Sequence, residues 1–401
     1  MSFDVTAFRA HFPSLDSGLA FFDGPGGTQT PRPVAEAIMA TMTSPISNRG
    51  TVSATELRAG QVVADFRAAY ADLLGVPADG IVHGRSATQL TYDFSRHLAK
   101  TWRPGDEIVV SRLDHDSNIR PWLQAATAAG VTVRWLEIDP ATTELILPDS
   151  FSERTRLVAV TAASNVLGTV PPIRRIADLA HAAGALLYVD GVHYAAHRFV
   201  DVPALGADLF VCSPYKFFGP HCGVLAADPA LLASLWPDKL IPSSDAVPER
   251  FEFGTLPYEQ LAGATAAVSF LAASSPASQS SSPSSSFSSR RAGLERSFQA
   301  VHAHESMLRA RVESGLGAFA VHSVAADRTP TLLVSLDGRD ARDIQKFLAA
   351  RDVLAPAGSF YAHEPFEALQ LPNPSLRIGL AAYNTVGEVD RLLDGLSASV
   401  A

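Results

Sequence analysis

The sequence predicts an α/β fold in which helices cover a mostly parallel β-sheet. Short apolar runs of strand length alternate with longer segments that have helical periodicity. Strands that alternate with helices form parallel sheets, because each helix returns the chain to the start of the next strand. The predicted strands of this region are 107–111, 131–135, 157–161, 185–190 and 209–213. The predicted helices between them include 119–129 and 173–183, the second of which is followed by Gly184, a typical helix terminator.

A second, smaller α/β region follows towards the C-terminus. It consists of an amphipathic segment 294–312, strand 331–335, helix 341–351, strand 376–380 and helix 386–396. Between the two regions, residues 274–289 hold 11 serines in 16 positions, which indicates a flexible surface loop. The resulting parts are an N-terminal segment 1–16 that packs with the small domain, a large domain 17–270, a serine-rich loop 271–290 and a small domain 291–401.

Length and composition agree with two folded units, or with one large α/β unit and an appendage, and exclude several classes of protein. Of 401 residues, 47% are hydrophobic and 18% charged, which excludes a disordered or fibrous chain. A net charge of −9 argues against a nucleic-acid partner. The chain has no apolar run of membrane-spanning length and no basic start of a signal peptide, so we expect a cytoplasmic protein without a membrane partner. Two cysteines, Cys212 and Cys222, are too few for a disulfide framework or a four-cysteine zinc site.

Lysine is rare, which makes Lys216 a candidate for covalent chemistry. Only four of the 32 basic residues are lysines, and Lys216 follows the predicted strand 209–213 among aromatic side chains. Apolar surroundings lower the pKa of an amine and favour the neutral nucleophile that a Schiff base requires.

Other polar segments also follow predicted strands, at the edge of the sheet where open α/β folds bind ligands. Segment 83–88 precedes a helical pattern, and its backbone N–H groups and hydroxyls suit a phosphate. The alternative is a glycine turn with Ser86 as a helix cap. His115 follows strand 107–111 and suits stacking on a flat ligand or acting as a base, whereas the alternative is a solvated loop histidine.

Two more residues complete this series. Asn165 follows strand 157–161, and it either donates to a ligand or satisfies its own turn. Asp190 ends an apolar strand, where a buried carboxylate needs a cation or a protonated nitrogen; alternatively, it caps the next helix. Together with Lys216, the order of these groups indicates pyridoxal 5′-phosphate. The lysine would form a Schiff base with the cofactor, and the acid would keep its pyridine nitrogen protonated.

The sequence resembles the class V aminotransferase family of fold-type I pyridoxal phosphate enzymes over nearly its whole length. Within that family it is most similar to the cysteine desulfurase-like branch, near the SufS-type desulfurases and selenocysteine lyases. The resemblance implies a large domain with a seven-stranded, mostly parallel sheet and a smaller C-terminal α/β domain. The motifs that carry it are Arg49-Gly50, 114–119, 164–169, 189–191, 213–216 with 219–220, Gly254-Thr255, Leu376-Arg377 and 383–385.

The resemblance also implies roles for individual residues. Lys216 is then the Schiff-base lysine, Asp190 faces the pyridine nitrogen, and His115 stacks on the ring. Arg377 clamps the substrate carboxylate. The other implied cofactor contacts are Asn165 and His193 beside the phenolic oxygen, and Gly84, Arg85, Ser86, Ser213 and, from a second subunit, Thr255 around the phosphate. The last of these implies a homodimer.

The chain departs from the desulfurase pattern at several positions. Tyr215 stands where desulfurases usually have histidine, and His193 stands where they often have glutamine. Counting back from Arg377 with Pro365 as anchor places Ala362 at the position of the desulfurase loop cysteine. We therefore expect no persulfide on an enzyme thiol, and we expect Cys212 and Cys222 to be buried apolar residues.

The sequence leaves three hypotheses for the function. The first is cleavage of a Cβ–sulfur or Cβ–selenium bond in a small amino acid, in which Lys216 moves the α-proton. Tyr361 and His363 are then candidates for protonating the leaving group. The second is transamination, or epimerisation like that of isopenicillin N epimerase-like members. The third is a non-catalytic binding protein on the same fold. In each case the loops 22–27 and 358–365 are expected to face the substrate.

Overall fold

The computed structural model describes residues 3–274 and 287–400. It confirms the predicted α/β class. The described residues form the following α-helices: α1 Val5–Arg9, α2 Arg32–Thr43, α3 Ala54–Leu74, α4 Ala87–Ala99, α5 Arg120–Ala129, α6 Ile173–Ala182, α7 Val202–Leu205, α8 Pro229–Ser234, α9 Tyr258–Ala273, α10 Phe287–Gly315, α11 Ala341–Ala349, α12 His363–Ala368 and α13 Val386–Val400. Most of the predicted serine-rich loop lies outside the described residues, between the end of α9 and the start of α10.

The strands form a large sheet and two small ones. Their bounds are β1 Ala20–Phe21, β2 Ile81–Gly84, β3 Glu107–Ser111, β4 Thr132–Leu136, β5 Thr155–Thr161, β6 Leu186–Asp190, β7 Leu209–Cys212, β8 Gly223–Ala227, β9 Ala320–Val321, β10 Thr331–Ser335, β11 Val353–Leu354, β12 Ala357–Gly358 and β13 Ser375–Gly379. The large sheet has seven strands in the order β2-β8-β7-β6-β5-β3-β4. Among its described strands only β8 runs antiparallel to its neighbours.

Alternation of side chains along the strands gives the large sheet a packed core on each face. In β3, for example, Val109 packs into one core, whereas Ile108 and Val110 pack into the other. In β6, Leu187 and Val189 lie on the same side as Val109. Because helices cover both faces, the inner strands are apolar on both sides, as expected for parallel sheets, whereas the edge strand β4 exposes Thr132 and Arg134.

The C-terminal region has a separate core around an antiparallel sheet of order β12-β13-β10-β9. The N-terminal segment contacts both regions. Arg9 forms an ion pair of 2.9 Å with Glu388 of α13. Phe8 packs against Phe270 of α9, with ring centroids 5.1 Å apart.

Several features of the fold were not predicted, among them the short strands β1, β9, β11 and β12. Strand β2 was also missed, and so was β8, a short buried run rich in alanine that periodicity does not distinguish from a helix. Helix α10 extends beyond the predicted 294–312 at both ends. Among the described residues, the structure contains no helix long and apolar enough to cross a membrane.

Candidate active site

A cavity of about 600 Å³ lies where the parallel strands of the large sheet end. Residues that follow β3, β5, β6 and β7 line it, and the start of α4 and the loops around 25 and 360 complete its wall. The lining side chains include Pro25, Gly26, Ser86, Thr88, Tyr92, His115, Asp116, Arg120, Gln124, Asn165, Asp190, Val192, His193, Ser213, Tyr215, Lys216, Phe360, Tyr361 and Arg377. Most of the residues predicted from the sequence therefore meet in one cavity.

Lys216 ends a 3₁₀ turn, Pro214–Lys216, that directly follows β7. Its Nζ donates a hydrogen bond to the backbone oxygen of Pro25. Nζ also lies 4.6 Å from the ring centroid of Tyr215. Burial, reinforced by the positive charge of Arg377, lowers the pKa of Lys216 to about 7. A large fraction of this amine is therefore neutral and nucleophilic near neutral pH.

Asp190 is the last residue of β6 and is 5% exposed. Its Oδ1 accepts a hydrogen bond of 2.9 Å from the backbone N–H of Val192. The predicted alternative of a helix cap does not describe it, because the next turn, 194–196, begins after His193. No ion pair to Asp190 occurs in the part of the chain that the structure describes, and burial raises its pKa to about 6.

The local backbone explains how Asp190 reaches the cavity. The chain turns directly after β6 at Gly191, where a Cβ atom would lie 1.9 Å from the ring of Phe210. Only glycine allows the turn to pack this closely against β7. The carboxylate is therefore fixed at the strand end, in surroundings that need a positive partner.

His115 lies in a turn held together by a buried polar network. Its Nδ1 accepts a hydrogen bond of 3.1 Å from the backbone N–H of Ser117. Burial lowers its pKa to about 4, so the imidazole is neutral at neutral pH. Beneath it, the fully buried Asp114 accepts a hydrogen bond of 2.6 Å from Asn118 and another from Ser111. The role of Asp114 in holding the turn that carries His115 was not predicted from the sequence.

Arg377 and Asn165 lie together on another wall. Arg377 Nη1 donates to the backbone oxygen of Asn165 over 3.2 Å, and Nη2 donates to Asp23 Oδ1 over 2.6 Å. The ring of Phe360 lies 3.9 Å from the guanidinium carbon. The side chain of Asn165 donates to the backbone oxygen of Phe360 over 2.9 Å. Asn165 therefore also fixes the loop that precedes α12.

His193 is buried behind the cavity. Its Nε2 lies 2.9 Å from the Thr329 hydroxyl and 3.1 Å from the Thr331 hydroxyl. Burial, with a contribution from nearby His197, lowers its pKa well below the usual value. His193 is therefore a neutral hydrogen-bonding group held by residues of the C-terminal region.

The predicted phosphate contacts fall into two groups. Ser86, Thr88 and Ser213 line the cavity, and Ser86 caps α4 by accepting from the Gln89 N–H over 3.1 Å. A helix N-terminus of this kind attracts anions. Gly84, Arg85 and Thr255 do not line the cavity; Gly84 packs under Leu90, and Arg85 and Thr255 are exposed to solvent elsewhere.

The loop before α12 presents Tyr361 to the cavity. Tyr361 is 78% exposed, and its ring centroid lies 5.6 Å from that of His115. Both Phe360 and Tyr361 have left-handed backbones, with φ of 56° and 55°. Ala362 is fully buried, and His363 is exposed on α12; neither lines the cavity. Tyr361, which directly precedes Ala362 in the chain, therefore faces the cavity, whereas Ala362 does not.

An ion-pair network anchors this loop and was not predicted. Glu364 forms pairs of 2.6 Å with both Arg112 and Arg120, and Arg120 also pairs with Asp116 over 2.7 Å. In addition, the Asp116 N–H donates to the Tyr361 oxygen over 2.7 Å. These partners are far apart in the sequence, so no local pattern could have revealed them.

The chemistry of the cavity fits pyridoxal phosphate. Lys216 provides a partly neutral amine, and Asp190 is a buried carboxylate without an ion-pair partner among the described residues. A protonated pyridine nitrogen would supply that partner. His115 provides a neutral ring, and the N-terminus of α4 with Ser86 provides donors for a phosphate.

Comparisons with known proteins agree with this fit. The family model for class-V aminotransferases matches residues 20–392. An aminotransferase-like protein of Gibberella zeae is 30% identical, with 98% of both chains covered. A cysteine desulfurase of Dickeya dadantii is 29% identical, covering 98% of this chain and 96% of the relative. In the crystal structure of a cysteine desulfurase from Escherichia coli, the matching chain is 26% identical with a TM-score of 0.84, covering 100% of this chain and 99% of that one.

Proposed function

Because this chain belongs to the class-V aminotransferase family, whose members related to it depend on pyridoxal 5′-phosphate, we propose that it cleaves a Cβ–sulfur or Cβ–selenium bond in a small amino acid. We further propose that it does so without a thiol on the loop before α12. The observation that carries the proposal is the buried pair of Lys216 and Asp190 in one cavity with Arg377. This set suits removal of a proton from the α-carbon of an amino acid.

We assign the following roles to the residues of the cavity. When bound, the cofactor supplies an electron sink for the electron pair left at Cα. Lys216 Nζ holds the cofactor covalently and then takes and returns the α-proton, which its pKa of about 7 permits. Asp190 would hold a proton at the ring nitrogen, and His115 would pack on the ring. Arg377 binds the substrate carboxylate through its planar guanidinium.

Neither cysteine is available for a persulfide. Cys212 is fully buried and Cys222 is 1% exposed. Burial raises the pKa of Cys222 to about 12, and it raises the pKa of Cys212 well above the usual value of a thiol. Because the thiolate is the nucleophile, neither residue can attack sulfur on the substrate. We propose that Tyr361, which faces the cavity beside His115, donates the proton to the leaving group.

Product analysis tests this proposal. The cofactor-loaded protein is incubated with L-cysteine or L-selenocysteine under reducing conditions, and alanine, pyruvate and sulfide or selenide are measured. We expect pyruvate and ammonia with sulfide or selenide, because a leaving group that takes a proton from Tyr361 departs with both electrons of the broken bond, and we expect slower release with the Tyr361→Phe variant. Alanine would instead show that the sulfur or selenium leaves without those electrons and is accepted by a thiol of the added reducing agent. The absence of every product would contradict bond cleavage at Cβ.

A second candidate function is transamination or epimerisation. It is favoured by the loop before α12, which presents Phe360 and Tyr361 and no cysteine to the cavity. It is also favoured by the relative from Gibberella zeae, which is named aminotransferase-like. Formation of a keto acid would show transamination. Loss of an α-deuterium label without a keto acid would show epimerisation.

We also propose that the enzyme is a homodimer in which Thr255 reaches the partner's cavity. Large exposed apolar side chains, Met39, Met42, Val52 and Leu57, lie on α2, on α3 and between them. Arg49 links this segment to the one that carries Thr255, because its N–H donates to the Tyr258 hydroxyl over 3.2 Å. An apolar surface beside Thr255 suits an interface between two copies.

The Val52→Glu, Leu57→Glu double variant tests the dimer. Burying two carboxylates in an apolar interface is costly, so we expect sedimentation velocity to show a monomer with weakened cofactor retention. Val324→Glu is the matched control, since Val324 is 48% exposed but lies in the small domain. A double variant that sediments like the wild type would rule out this interface.

A further inference from the structure

The charge of Arg377 is already paired in the cavity. Its side chain is only 4% exposed. Asp23 is its only carboxylate partner among the described residues, at 2.6 Å, and the second Nη contact goes to a backbone oxygen. Nε is buried without a hydrogen-bond partner in that part of the chain, and Phe360 covers one face. A substrate carboxylate that needs two parallel N–H donors therefore finds one of them occupied by Asp23.

The fold places Asp23 at this position. Gly379 of β13 donates to the backbone oxygen of Phe22 over 2.8 Å, so residue 23 continues alongside the strand that carries Arg377. The chain then turns sharply, and a Cβ atom on Gly26 would lie 2.2 Å from Asp23 Oδ2. The absence of a side chain at Gly26 thus allows the carboxylate to fold back over its own turn.

The same short loop also contacts Lys216. The backbone oxygen of Pro25, two residues after Asp23, accepts a hydrogen bond from Lys216. The two contacts differ in one respect that matters for ligand exchange. The Pro25 contact is made by the backbone, whereas the Asp23 contact is made by a side chain that is 44% exposed and can rotate into solvent.

We propose that the Asp23 carboxylate occupies the position on Arg377 that the substrate α-carboxylate takes when it binds. It pairs with Arg377 while the substrate is absent, and it leaves for solvent when the substrate carboxylate takes the same donor. The exchange keeps one carboxylate on a buried guanidinium throughout, which avoids the cost of an unpaired buried charge. This inference rests on the proposed function, because it requires an amino-acid substrate whose carboxylate reaches Arg377.

The exchange makes Asp23 a residue that determines specificity. A ligand with a carboxylate replaces Asp23 and recovers the ion pair. An amine without a carboxylate leaves the Asp23 pair in place and gains nothing from Arg377. Asp23 therefore lowers the affinity for α-amino carboxylates, while the affinity for simple amines does not depend on it.

Two ligands that differ only in a carboxylate test this inference. Aminooxyacetate and methoxyamine both react with bound pyridoxal phosphate through an aminooxy group, but only the first has a carboxylate. Their affinities for the cofactor-loaded wild type, Asp23→Asn and Asp23→Ala are measured from the change in visible absorbance. Asp16→Asn is the control, since Asp16 is exposed, lies in the same N-terminal region and removes the same charge.

We expect both Asp23 variants to bind aminooxyacetate about fivefold more tightly than the wild type. This factor corresponds to one partly exposed ion pair that the ligand no longer has to displace. Methoxyamine affinity and the Asp16→Asn variant should not change. Unchanged aminooxyacetate affinity would overturn the inference while leaving the proposed function intact. Weaker binding would also overturn it, because Asp23 would then orient Arg377 for the substrate. If neither ligand altered the visible spectrum of the cofactor-loaded wild type, this result would contradict both the proposed function and this inference.

Discussion

Replacement of Lys216 by alanine is expected to abolish the visible absorbance of the bound cofactor and to reduce turnover by roughly three orders of magnitude or more. Lys216 is the only lysine that lines the described cavity. An alanine at this position cannot hold the cofactor covalently or move the α-proton. The measurement is the visible spectrum after gel filtration with pyridoxal phosphate, together with the rate of product formation.

Lys346→Ala is the matched control for this prediction. Lys346 is exposed on α11 and pairs only with Asp343 among the described residues, at 2.9 Å. This variant should keep the wild-type spectrum and rate. Circular dichroism of Lys216→Ala should show an intact fold, since removal of a buried amine leaves no cation to desolvate. A yellow, active Lys216→Ala protein would contradict the role of this residue.

The residues that could be predicted from the sequence are those that stand next to a strand end. Lys216, Asp190, His115 and Asn165 each follow a predicted strand, and parallel strands bring such residues to one edge of the sheet. The structure places all four on the same cavity. Local spacing was sufficient because the fold class already determines where strand ends meet.

Contacts between distant segments could not be predicted in this way. The pair of Asp23 and Arg377 joins residues 354 positions apart, and it depends on the alignment of residue 23 with β13. Glu364 likewise pairs with Arg112 and Arg120, which lie more than 240 positions earlier in the chain. The resemblance to a family also did not show which side chain of the loop 358–365 faces the cavity, because that depends on the left-handed backbone at Phe360 and Tyr361.

Asp190→Asn is expected to keep the cofactor attached while slowing turnover by roughly 10²- to 10³-fold, the usual cost of losing one preorganised charge in an active site. Asparagine keeps the acceptor for the Val192 N–H, so the turn after β6 should be preserved. A neutral amide cannot hold a proton at the ring nitrogen, and the electron sink is weakened. Unchanged turnover would refute the role assigned to Asp190.

The stability of the same variant separates this role from a structural one. Burial raises the pKa of Asp190 from 3.8 to about 6, so the folded apoprotein binds this proton more tightly than the unfolded chain does. The ionised carboxylate therefore costs stability progressively as the pH rises from 3.8 through 6, and the cost is complete above pH 6. At pH 8, apo Asp190→Asn should exceed apo wild type in unfolding free energy by on the order of 2 kcal/mol, and this advantage should vanish below pH 4.

Adding the cofactor should reverse this order. In the role proposed for Asp190, a protonated ring nitrogen would pair with the wild-type carboxylate and remove the cost of the buried charge, whereas the amide would gain no such pair. The wild type should therefore gain more in thermal midpoint from the cofactor than Asp190→Asn does. Asp178→Asn, at an exposed carboxylate paired with Arg174 on α6, should follow the wild type with and without cofactor. If the cofactor raised the thermal midpoint of Asp190→Asn as much as that of the wild type, Asp190 would not face a positive partner, because only a pair between the carboxylate and the ring nitrogen makes this gain larger in the wild type.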